Sequence, residues 1–112
     1  MCLFKKRKGS VKQVLANQDQ LLNNSKFAES LVNYAGIDNK TAIRISDIAD
    51  KLKYMNPSSK SEVATIDRKI ENKLSDLKIE ISANNINQNK VDTLIKDLTN
   101  LVADRDFQSK KN

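Results

Sequence analysis

Apolar residues recur along this chain at the three- and four-residue spacing of an α-helix, in blocks separated by polar punctuation. The first block begins behind Gly9-Ser10. Ser10 and Gln13 stand in the spacing of a capping box, so a helix is expected from Val11. Val11, Val14, Leu15, Leu21 and Leu22 share one face of it, whereas Ala28, Leu31, Val32 and Ala35 fall about 120° round at a helical turn of 100° per residue. That shift predicts a kink or break at Asn23-Asn24-Ser25. Gly36 is then expected to close the stretch in the left-handed conformation that favours glycine.

Asp38 is placed to cap the next helix, in which Ile45, Ile48, Ala49, Leu52 and Met55 form one stripe. This helix should stop near Asn56, because Pro57 restricts the residue before it and has no N–H to donate. Ser59 with Glu62 reads as a second capping box. Behind it Val63, Ile66, Ile70, Leu74, Leu77 and Ile81 make a narrow seam of coiled-coil type, which needs a partner helix. The partner is next in sequence: Asn87 caps it, Ile86 and Val91 are spaced as a hydrophobic staple, and Val91, Leu94, Ile95, Leu98, Leu101 and Val102 form its apolar face. Asp92 and Lys96 are spaced for an ion pair on its surface. A short connection around residues 84–87 makes 59–107 an antiparallel helical hairpin, with the helix of residues 39–55 laid across its groove.

The expected fold is therefore all-α, a bundle of three or four helices over residues 10–107 with a C-terminal antiparallel hairpin. Residues 1–9 and 108–112 are expected to be disordered. Composition agrees: the 112-residue chain has only two glycines and one proline to form tight turns, and its 38% hydrophobic content suits a modest core.

Charge adds one feature. Lys5, Lys6, Arg7, Lys8 and Lys12 precede the first acidic residue, Asp19, and much of the net charge of +6 lies there, leaving the body near neutral. Such a tail suits attraction to an anionic surface, whether membrane, nucleic acid or acidic protein. Cys2, beside Leu3-Phe4 and this cluster, would give the second signal for membrane anchoring if acylated. With one cysteine, no signal-peptide pattern and no apolar stretch of about 18 residues, the expected location is the cytoplasm, at the inner face of a membrane if the tail engages lipid.

Candidate chemistry is sparse. The chain has no histidine, so Ser-His-Asp, Cys-His and the usual zinc and haem sites are excluded, and one cysteine excludes CxxC pairs. Neither a P-loop nor a dinucleotide fingerprint can be built from two separated glycines. Ser75-Asp76-Leu77-Lys78 has S-x-x-K spacing without the companion motifs, and reads as part of an amphipathic helix. The carboxylate pairs Asp67/Glu71, Asp76/Glu80 and Asp47/Asp50 read as solvated acidic faces. No catalytic residue, cofactor site or metal site is assigned, and the chain is read as a non-enzyme.

Ile45-Ser46-Asp47-Ile48-Ala49-Asp50-Lys51-Leu52 resembles the first helix of helix-turn-helix DNA-binding domains, which would make residues 39–74 the motif and Ser59–Leu74 its recognition helix. Six residues, Lys53 to Ser58, replace its short turn, and Glu62, Asp67 and Glu71 would meet phosphates. The first expectation is thus a small helical interaction or scaffold module, held to an anionic surface through Lys5, Lys6, Arg7, Lys8 and Lys12. The alternative is a nucleic-acid-binding protein using residues 39–74. Partners are a protein or an anionic membrane surface, and the helical seams also suit pairing between copies.

Overall fold

The computed structural model describes residues 19–56, 58 and 60–110. The Ser10–Gln13 capping box and the apolar positions Val11, Val14 and Leu15 lie outside them. The described residues form four helices and no strand: α1, helical over 19–31; α2, Asn39–Lys53; α3, Ser61–Ile81; and α4, Gln88–Lys110.

The α1 helix runs through Asn23-Asn24-Ser25 without a break. The reason is that Asn24 and Ser25 belong to the buried face, only 1% and 4% exposed, in line with Leu21, Ala28 and Leu31. Counting only apolar residues splits this face in two. Burial is tolerated because both side chains are bonded: Asn24 Nδ2 donates to the Asp67 carbonyl at 3.0 Å and Ser25 Oγ to the Ala49 carbonyl at 2.9 Å. These bonds set α1 beside both α3 and α2.

A run of turns over residues 32–37 follows, with i→i+3 backbone bonds such as Tyr34 N–H to the Leu31 carbonyl. Gly36 does not take the left-handed conformation expected of it, and no described residue has a positive φ. Its use is close approach: a Cβ there would lie 2.5 Å from Ile86 Cδ1, in the connection between α3 and α4.

Asp38 caps α2 as expected, accepting from the Thr41 N–H at 2.7 Å. Ile45, Ile48, Ala49 and Leu52 are buried and Met55 is half-buried, with Thr41 extending the stripe one turn back. Ser59, the cap expected at the start of α3, lies outside the described residues. The helix begins at Ser61 with Lys60 at the N-cap, which makes no side-chain cap; instead the Lys60 N–H donates to Ser58 Oγ at 3.2 Å. All six seam residues of α3 are buried. Asn87 caps α4, with its Oδ1 accepting from the Lys90 N–H at 3.3 Å. The apolar face of α4 is buried except Leu101, which is half-buried, and the helix reaches Lys110, past the expected end at 107.

Helices α3 and α4 form the antiparallel hairpin. Contacts step down its length from Lys60 Nζ on the Gln108 carbonyl, through Asp67–Arg105 and Lys73–Asp97, to Glu80–Lys90. Helix α2 lies on α4 and not across the groove of the pair: no Cα of α2 comes within 8 Å of one in α3. Arg44 bonds Asp92 near the start of both helices, and Arg105 reaches Asn56 near the end of both, so α2 and α4 run in the same direction. The Arg44 bond also replaces the expected Asp92–Lys96 pair, since the guanidinium takes the Asp92 carboxylate at 2.9 Å. Around the bundle the order is α1, α2, α4, α3.

Candidate functional site

Two features stand out, a buried ion pair and a groove. Asp67 occupies a seam position of α3 and Arg105 continues the seam of α4, one turn after Val102. Both are fully buried. Arg105 Nε donates to Asp67 Oδ1 at 2.7 Å, with side chains 0% and 1% exposed. Arg105 Nη1 donates to the Asn56 carbonyl at 3.1 Å and reaches Met55 Sδ at 3.7 Å. Asp67 Oδ2 and Arg105 Nη2 have no hydrogen-bond partner, so the pair closes one prong of a fork that could close two. Asn24 Nδ2 donates to the Asp67 carbonyl while Asn24 Oδ1 accepts from Gln20 Nε2 at 3.0 Å, which brings α1 into the same layer. The layer thus joins α1, α3, α4 and the end of α2.

This corrects the reading of Asp67/Glu71 as a solvated acidic pair. Asp67 is buried, whereas Glu71 is exposed and accepts from Gln20 at 3.1 Å. Asp47 and Asp50 are exposed on α2, away from the core, as expected. Asp76 is exposed, while Glu80 is half-buried and accepts from the Asn87 N–H at 3.1 Å. Ser75 and Lys78 line a shallow depression with Phe27 and Ile79. Among the described residues, no three of His, Cys, Asp or Glu converge as metal ligands.

The two perturbed carboxylates answer pH in opposite directions. Burial pushes the Asp67 carboxyl above its ordinary value, and the Arg105 bond pulls back without overcoming it. The Thr41 backbone N–H, followed by the Thr41 side chain, holds Asp38 below its ordinary value. A carboxyl raised in the folded state contributes stability at low pH and loses it as pH rises through the folded value; a depressed one contributes above its unfolded value and loses it as pH falls through the folded one. Thermal melts between about pH 7 and about pH 3 check this. The wild-type chain should gain on Asp67→Asn as pH falls and lose ground to Asp38→Asn. Shifts of the same sign for both variants would contradict the assignment.

The groove lies between the parallel helices α2 and α4 and has a volume of about 610 Å³, within the roughly 300–1,000 Å³ typical of ligand sites. Ile48, Ile95 and Val102 form its apolar floor, all at most 4% exposed, and Met55 and Ala103 extend it. Its sides carry Arg44, Lys51 and Lys110 together with Asp47 and Asp106. These charges are tied up along the rims, Arg44 to Asp92, Lys51 to Asp47 at 3.6 Å and Lys110 to Asp106 at 3.1 Å. Tyr54 stands at one end, 77% exposed. The arrangement suits an apolar side-chain row flanked by polar groups.

The residues expected to meet an anionic surface, Lys5, Lys6, Arg7, Lys8 and Lys12, lie outside the described residues, as does Cys2. A helix-turn-helix packs its two helices together at about 90–120°. Helices α2 and α3 do not pack together, since each lies against α4 and α1 instead. Among the described residues, no helix is long and apolar enough to cross a membrane. No protein-family model, curated protein or solved structure matches the chain.

Proposed function

We propose that this chain is a small non-enzymatic interaction module that takes an apolar helical segment of a protein partner in the α2–α4 groove. The observation that carries the reading is the groove itself, with its aliphatic floor, paired-charge rims and exposed Tyr54. An amphipathic helix binds such a groove through side chains spaced at i, i+3, i+4 and i+7. The basic residues Lys5, Lys6, Arg7, Lys8 and Lys12 would add attraction to an anionic membrane surface, placing the module at the inner face of a membrane in the cytoplasm.

Affinity capture from the native cell tests both parts, comparing the full chain with Ala103→Arg and with a chain lacking residues 1–9. Ala103 is exposed on the α4 side of the groove, so an arginine there fills it without entering the core. The expected result is a discrete partner lost with Ala103→Arg and kept, more weakly, without the tail. Vesicles containing acidic lipid should retain the full chain at low salt and release it near physiological ionic strength, where screening shortens to about 8 Å. Capture that ignores Ala103→Arg would sink the groove. Binding of duplex DNA by the tail-less body would favour the nucleic-acid reading instead.

A further inference from the structure

Most of the ion pair's surroundings are explained by packing, but one of its bonds points elsewhere. Arg105 Nη1 leaves the α3–α4 seam and donates to the Asn56 carbonyl, with Met55 Sδ as a second, weaker acceptor. Met55 and Asn56 are the residues that carry the chain out of α2, and both line the groove. Near its other end α2 is tied to α4 by Arg44–Asp92 and by Gln88 Nε2 on Thr41 Oγ1 at 3.4 Å. Just past Lys53, two backbone bonds among the described residues tie the chain back to α2, Tyr54 N–H to the Asp50 carbonyl and Met55 N–H to the Leu52 carbonyl. Among the described residues, the Arg105 fork makes a polar link from that end of α2 to α4.

We infer that Arg105, clamped by Asp67, is a positioning residue that sets where the C-terminal end of α2 rests against α4 and so shapes one end of the groove. The apolar contacts of α2 with α4, where Ile48 shares the groove floor with Ile95 and Val102, would hold the helices together at a range of axial positions, because aliphatic contacts are not directional. A guanidinium bonded to one particular carbonyl is directional. Asp67 fixes the guanidinium in turn, with Asn24 holding the backbone of Asp67 from α1. The inference deepens the groove reading, and its test uses no partner, so either can fail without the other.

The test is amide hydrogen exchange on the full chain carrying Asp67→Leu with Arg105→Met, which replaces both charges by apolar groups of similar size. Such replacements are often neutral or stabilising overall, so the bundle should melt as cooperatively as the wild type. The amides of Tyr54 and Met55 should nevertheless exchange about tenfold faster or more, with those of Leu77 in α3 and Ile45 in α2 unchanged. Arg105→Lys keeps a charge for Asp67 without the fork that reaches two further acceptors, and should loosen the same amides by a smaller factor. It also serves should the double variant fail to fold. Uniform acceleration in all helices would reduce the pair to a general stabiliser and overturn the inference. Unchanged exchange at Tyr54 and Met55 would overturn it as well.

Discussion

Asp67→Ala should remove about 3–5 kcal/mol of stability, the cost of leaving one member of a buried ion pair alone. For a small domain, whose total is about 5–15 kcal/mol, that is a large share of the stability. The loss is expected at this end of the pair because Arg105 cannot shed its proton, so its charge stays in a site that is 0% exposed. The remaining bonds to Asn56 and Met55 satisfy hydrogen atoms but supply no countercharge. Arg105→Ala should cost less than Asp67→Ala, since the Asp67 carboxyl can take up a proton. Denaturant titration followed by circular dichroism checks the order, and equal stability of Asp67→Ala and wild type would refute the burial of the pair.

The second large effect lies in the aliphatic seams. Leu74 and Leu98 are both 0% exposed, near the middle of α3 and α4. Truncating either to Ala should cost about 2–5 kcal/mol through lost transfer energy and the cavity left behind. Ile79, 70% exposed on the far side of α3, should stay within about 0.5 kcal/mol when changed to Ala. Comparable losses for all three would mean that α3 is buried all round, as in an assembly between copies.

The contrast between these two sites marks what was legible in the sequence. The seams were readable because aliphatic residues at three- and four-residue spacing have few uses other than burial, and every seam residue named in α3 is buried. The caps at Asp38 and Asn87 were readable for the same local reason. Asn24, Ser25 and Asp67 were misread, and Arg105 was passed over, because a polar residue on an apolar face breaks the pattern, and only its partner in space explains it. One signal was present: Asp67 stands four residues after Val63 and seven before Leu74, and Arg105 three after Val102 and seven after Leu98, opposite charges in register on mated seams. Asp92 choosing Arg44 over Lys96 was out of reach, because it depends on how α2 lies on α4. So was the groove, which likewise depends on how α2 lies on α4.

The most direct test of the account is a photo-reactive amino acid placed at position 103 in the groove and, separately, at position 76 on the exposed side of α3. Irradiated in the native cell, the full chain carrying the probe at position 103 should give one discrete protein adduct that the probe at position 76 does not. Adducts of the same kind and amount from both positions, or from position 76 alone, would contradict the claim that the α2–α4 groove is where this protein meets its partner.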